Sequence, residues 1–197
     1  NLDNDIDIYS QKVDHLGNIH WDNHGISIVN QENIQNQVRL TMDGNGGVYY
    51  VWVDERTAPY PESEIYLQHI NSDGDLSFQN NGLPICDSPY LQFGPIVRPS
   101  NNDNALVVWG DRRTGSIGLY VQHINPLGIQ LESQGKEVFF GIDGNGKNPK
   151  SIYLNNNESI IYWNDKRQSP FKSLTYGQII NAQSGFAENL DGLPLSD

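Results

Sequence analysis

Cysteine is almost absent from this 197-residue chain: Cys86 stands alone. That excludes a disulfide framework and any cysteine-based zinc site. A single thiol with no repeated base beside it reads as a small buried hydrophobe rather than a nucleophile. Long apolar runs are also missing, and no window approaches the ~20 apolar residues of a membrane span. Helix-period stretches with caps are absent. Cations are few: 12 Lys and Arg stand against 24 Asp and Glu, for a net charge of −12. Without clustered Lys and Arg, a nucleic-acid partner is excluded. The acidic residues are scattered, which reads as a solvated acidic surface, with calcium binding as the sharper alternative. No Gly-x-Ser-x-Gly, His-Glu-x-x-His or phosphate loop occurs.

Gly, Asn and Pro are plentiful, and they suit many short strands joined by tight turns. Above all, a pattern recurs with a period of 54 to 57 residues. Its first half is Trp-x-Asp-x-Arg: Trp52, Asp54 and Arg56, then Trp109, Asp111 and Arg113, then Trp163, Asp165 and Arg167. Its second half is Tyr-x-Gln, at Tyr9 and Gln11, Tyr66 and Gln68, Tyr120 and Gln122, and Tyr176 and Gln178. Gly25, Gly82, Gly135 and Gly192 follow each Tyr by 15 or 16 positions. Fixed-period self-similarity of this length means stacked supersecondary units. Residues present in every copy are then structural, and function belongs where copies differ.

One unit predicts four strands. Val38–Thr41 is a short strand, and Asp43-Gly44-Asn45-Gly46-Gly47 is a turn signal. Val48–Asp54 is rich in Val, Tyr and Trp. Glu64–Asn71 alternates with the period of a sheet. After Ser72-Asp73-Gly74, a fourth strand begins at Leu76-Ser77-Phe78, and Gly82-Leu83-Pro84-Ile85 closes the unit. Four antiparallel strands per repeat are what a β-propeller blade requires. The expected architecture is therefore all-β, with about three and a half blades: a half blade over 1–30, then blades over 31–88, 89–142 and 143–197. Trp, Asp and Arg at i, i+2 and i+4 share one side of the second strand. They are expected to act with the Tyr and Gln as latches, leaving the three Trp equivalently buried.

Tyr66-Leu67-Gln68-His69-Ile70-Asn71-Ser72-Asp73-Gly74 and Tyr120-Val121-Gln122-His123-Ile124-Asn125-Pro126-Leu127-Gly128, each after a Trp-x-Asp-x-Arg, resemble a propeller repeat of bacterial secreted and cell-surface proteins. The resemblance is notably to the Bacteroidetes type with C-terminal sorting domains. This resemblance implies extracellular placement and a binding or scaffolding role, and no particular ligand.

Closed propellers have four to eight blades, so three and a half leave raw sheet edges. Three arrangements follow: a piece of a longer propeller, completion by a second copy, or an open arc capped by its ends or a partner. The chain starts Asn1-Leu2-Asp3 with no Met and no signal-like run, as in a processed or excised product.

Loops that differ between blades are the expected binding surface. They carry Tyr60, Tyr90, Phe93 and Phe171, aromatics suited to stacking on a carbohydrate or anchoring a protein ligand, with packing over the blade tops as the alternative. Asp43–Gly47 and Asp143–Lys147 resemble the start of calcium loops but lack the later acidic ligands, so they read as turns. His15, His20 and His24 follow no metal-ligand spacing, and no cofactor is expected. The inner strands carry Arg39, Arg98 and Lys150 and no carboxylate, whereas a glycosidase needs a carboxylate pair. The expectation is a non-catalytic extracellular module. The alternative is an accessory or catalytic domain of a secreted polysaccharide hydrolase.

Overall fold

A computed structural model describes residues 6–57, 62–79, 81–100, 104–128, 134–140, 147–155, 158–168, 171–181 and 192–195. Among these, every regular element is a strand. β1 (Ile8–Ser10) and β2 (Ile26–Val29) form a two-stranded sheet. Next come β3 (Gln35–Met42), β4 (Val48–Asp54), β5 (Glu64–Ile70) and β6 (Leu83–Cys86). Then follow β7 (Gln92–Pro99), β8 (Ala105–Asp111), β9 (Gly118–Ile124) and β10 (Lys136–Phe140). The last set is β11 (Lys147–Asn155), β12 (Glu158–Asp165), β13 (Leu174–Asn181) and β14 (Leu193–Pro194). Each set of four is one antiparallel sheet in simple sequence order. β3 lies beside β7, and β7 beside β11, so the first strand of each sheet lines the axis.

The core sits between sheets, because β4 and β8 are apolar on both faces. On β4, Tyr50 and Trp52 face back onto Ile8, Ile28 and Val29. Tyr49, Val51 and Val53 face forward onto Val97, Val107 and Trp109. On β8, Val107 and Trp109 face back while Leu106 and Val108 face forward onto Ile161 and Trp163. This is the two-residue period of a strand buried on both sides. Trp52, Trp109 and Trp163 are 0%, 0% and 1% exposed, equivalent as expected.

The latch also has its geometry. Trp52 Nε1 donates to Asp54 Oδ2 at 2.7 Å, and Arg56 Nη2 meets the same oxygen at 2.6 Å. The Arg56 guanidinium lies 4.0 Å from the centre of the Tyr66 ring and donates to Asn81 O at 2.8 Å. Arg113 repeats this on Asp111, Tyr120 and Gln134 O, and Arg167 repeats the pairing on Asp165 and the stacking on Tyr176. The glycines explain themselves: at Gly82 and Gly135 φ is positive, and a Cβ would strike the Trp52 or Trp109 ring. Only glycine meets both demands.

One element differs from expectation. Residues 76–78 do not extend the fourth strand; Leu76 makes only an isolated bridge with Ile70. The Tyr-x-Gln glutamine takes over the ladder there. Gln68 Oε1 accepts from His69 N at 2.9 Å and Phe78 N at 3.1 Å, while its Nε2 donates to Gln79 O at 3.2 Å. Gln11 does the same with Lys12 N, Trp21 N and Asp22 O.

Candidate functional site

All three inner strands break their ladder at the same level. The register slips between Asn36 and Arg39 on β3, between Phe93 and Ile96 on β7, and between Lys147 and Lys150 on β11. Bulges of this kind re-aim side chains and gather beside functional sites. The first is strained: Gln37 is not glycine yet has φ 52°, and its Oε1 accepts from Gly94 N at 2.9 Å, tying the first bulge to the second. A non-glycine residue in this region is sparsely populated and is held there by its surroundings.

The bulges open onto one axial cleft of about 480 Å³. Leu40, Phe93, Ile96 and Val97 supply apolar wall, and Arg39, Arg98 and Lys150 supply charge. Arg98 is fixed by bonds from Nε to Ser151 O and from Nη1 to Val97 O, both 3.2 Å. Arg39 Nη1 reaches Val38 O at 2.8 Å.

A second cleft of about 220 Å³ lies at the loop end between the β3–β6 and β7–β10 sheets. Glu62, Glu64, Asp87 and Tyr90 line it with Thr57 and Ser88. None of these carboxylates belongs to the repeated latch. Glu64 accepts from Thr57 Oγ1 at 2.7 Å.

The four aromatics proposed as a single binding face do not line one cleft. Tyr90 lines the loop-end cleft, with φ 75°. Phe93 lines the axial cleft, its ring lying over Gly110, the residue it faces across the strand pair. Phe171 is 95% exposed and lines neither. Tyr60 lies outside the described residues.

Asp43, His20 and His24 each have partners close by in the chain or across the sheet. Asp43 Oδ1 accepts from Asn45 N and Gly47 N at 2.7 and 2.9 Å, and its Oδ2 meets His69 Nε2 at 2.9 Å. Burial opposes the Asp43 charge, but these bonds outweigh it and hold its pKa below the usual carboxylate value. Asp143–Gly146 lies outside the described residues. His20 and His24 turn to different carboxylates, Asp14 and Asp22, each at 3.5 Å. Cys86 is buried with Sγ 2.9 Å from Arg113 Nη2, and burial pushes its thiol up to about 11, the opposite of nucleophile activation.

No protein-family model matches the chain, and no curated protein matches its sequence. Among solved structures, an endo-arabinase from Bacteroides thetaiotaomicron superposes with a TM-score of 0.50 at 12% identity, over 81% of this chain and 61% of its own. The fold is a β-propeller. GH43B of a Bacteroides ovatus xyloglucan PUL gives a TM-score of 0.49 at 12% identity over 83% of this chain and 29% of its own. A putative glycoside hydrolase from Bacteroides ovatus ATCC 8483 gives 0.49 and 12% over 83% and 52%. The chain thus spans less than two thirds of the length of each.

The expectation of a non-catalytic chain does not stand. It rested on the missing carboxylate of the inner strands, yet this propeller fold is one on which an endo-arabinase is built.

Proposed function

We propose that this chain is a propeller domain of a secreted glycoside hydrolase, with a saccharide lying in the axial cleft. The observation that carries this reading is the triple bulge. The repeated Trp, Asp, Arg, Tyr and Gly serve the latch, while the three bulged inner strands present different side chains to one shared cleft. A specific, asymmetric ligand requires that difference. The cleft volume falls within the ~300–1,000 Å³ of small-ligand sites, and the Phe93 ring gives a surface for a sugar face. The endo-arabinase sharing the fold supports the same class of substrate.

Hydrolysis of a glycosidic bond needs an acid and a base or nucleophile, both carboxyl groups. The carboxylates that line a cleft and do not repeat are Glu62, Glu64 and Asp87, beside Tyr90. The segment from Tyr90 to Phe93 borders both clefts, so a chain passing over it reaches from one to the other.

The test is release of reducing ends from a panel of plant and bacterial polysaccharides, repeated with Glu62→Gln and Asp87→Asn. Loss of cleavage in either variant with an unchanged melting temperature assigns that carboxylate. Absence of both binding and cleavage across the panel overturns the reading.

A further inference from the structure

The lining of the axial cleft runs against the charge of the protein. Acidic residues outnumber basic ones two to one in the sequence, yet the cleft is lined by Arg39, Arg98 and Lys150 and, among the described residues, by no carboxylate. The three sit just beyond the bulges. Arg39 faces Val51 and Lys150 faces Tyr162, each the neighbour of a latch Trp, while Arg98 faces Leu106, two residues further along its strand pair. The offset staggers one cation along the axis by about 7 Å from the level of the other two.

Among the described residues, none of the three forms an ion pair, whereas Arg56, Arg113 and Arg167 each hold an aspartate. The bonds that position Arg39 and Arg98 go to main-chain carbonyls. A carbonyl fixes a guanidinium without cancelling its charge. Gathering like charges in one cleft raises its energy unless an anion arrives, and arginine presents a planar fork suited to carboxylate or sulfate oxygens.

We infer that the axial cleft selects an acidic saccharide, one bearing a uronate carboxylate or a sulfate ester, with Arg39, Arg98 and Lys150 receiving the anion and Leu40 and Phe93 facing the sugar. This rests on the proposal that the cleft takes a saccharide, and names its class.

The experiment is titration calorimetry of the unmodified protein with three oligosaccharides of matched length. One is an oligogalacturonide, one a chondroitin sulfate fragment, and one a neutral arabino-oligosaccharide. At low ionic strength, one acidic ligand is expected to bind at least about tenfold more tightly than the neutral one, and the arm that binds identifies carboxylate or sulfate. Raising salt so that the Debye length falls from roughly 30 to 8 Å is expected to erase most of that advantage. The double variant Arg39→Gln, Lys150→Gln is expected to lose about tenfold in acidic-ligand affinity and keep its melting temperature, while Arg39→Lys, Lys150→Arg retains most of the binding. Neutral and acidic ligands binding equally, with no effect of salt or of the double variant, overturn the inference and leave the saccharide reading standing. No binding by any of the three, together with no cleavage across the polysaccharide panel, overturns both.

Discussion

Arginine does two opposite jobs in this molecule. At the latches, Arg56, Arg113 and Arg167 are each bound to an aspartate, stacked on a tyrosine and paired with charge they neutralise. At the axis, Arg39 and Arg98 are tethered to carbonyls, with their charge uncompensated among the described residues. The latch residues recur at fixed spacing because every blade must solve the same packing problem. The axial cations follow no strict repeat: Lys150 replaces arginine in one blade, and Arg98 is displaced along its strand. A side chain that is repeated and neutralised belongs to the scaffold, and one that is unrepeated and uncompensated is available to a ligand.

The latch side of the comparison carries the largest expected effect. Trp109 is fully buried, stacks on Tyr120 and shares one core cluster with Tyr49, Val51 and Val107, so Trp109→Ala should cost about 3–5 kcal/mol. Asp111→Ala should approach that, on the order of 3 kcal/mol, because it strands Arg113 beside a buried Trp nitrogen. Urea denaturation of both variants checks this. A loss below about 1 kcal/mol in either would show that the latch is ornamental.

Glycine separates space from backbone within the same blade. Gly135 and Gly115 both have positive φ, at 75° and 88°. A Cβ at Gly135 meets the Trp109 ring, whereas one at Gly115 meets nothing within 4 Å. Gly135→Ala should therefore cost roughly 2–4 kcal/mol, strain plus overpacking, and Gly115→Ala only about 1 kcal/mol of strain. Equal melting-temperature drops for the two would remove the ring contact from the account.

Asp43 gives a smaller and pH-dependent effect. Its folded pKa lies below the ordinary value of about 3.8, so the unfolded chain takes up the proton first. The stabilisation is full above about pH 4 and is lost as pH falls through the folded pKa. Asp43→Asn keeps an acceptor for the turn but loses the ionised partner of His69. It should cost roughly 1–2 kcal/mol at pH 7, and the gap to the unmodified protein should close as pH falls below the ordinary carboxylate value and through the folded pKa. A gap that stays constant with pH would show the His69 contact does not depend on the Asp43 charge.

The difference between latch and axis also governs what the sequence makes legible. Trp, Asp, Arg, Tyr and Gly are chemically irreplaceable in their latch roles, so they recur unchanged and reveal the period. Other repeated devices stay hidden because their members are interchangeable. Asn81 and Gln134 both take positive φ, and their side-chain oxygens accept from Asn30 N and Asp87 N of the preceding sheet. Gln35 and Gln92, 57 positions apart like Trp52 and Trp109, both bind loop carbonyls. That shared spacing was the signal available. The axial site is harder still. Arg39, Arg98 and Lys150 are visible on the inner strands, but the bulges that turn them towards one cleft depend on the backbone of Gln37 and on register, which no residue type announces. Exposed aromatics are a weaker guide: Phe93 is committed in part to covering Gly110, and Tyr90 belongs to another cleft.

The smallest expected effect divides the two arginine classes most cleanly. Arg39→Gln and Arg56→Gln make the same chemical change on the same sheet. Arg56 loses a buried aspartate partner, its stacking on Tyr66 and a bond to Asn81 O. It also leaves Asp54 buried and charged, which should cost on the order of 3 kcal/mol. Arg39 is exposed and, among the described residues, bonds only its neighbour's carbonyl, so water replaces what glutamine does not. Its removal also relieves repulsion from Arg98 and Lys150. Arg39→Gln should therefore stay within about 0.5 kcal/mol of the unmodified protein, with any change towards greater stability, and that gain should vanish in high salt as the repulsion is screened. Thermal melts of the two variants at low and high ionic strength decide it. A loss at Arg39 comparable to that at Arg56 would make Arg39 part of the scaffold and remove the axial cleft as a reserve of free charge.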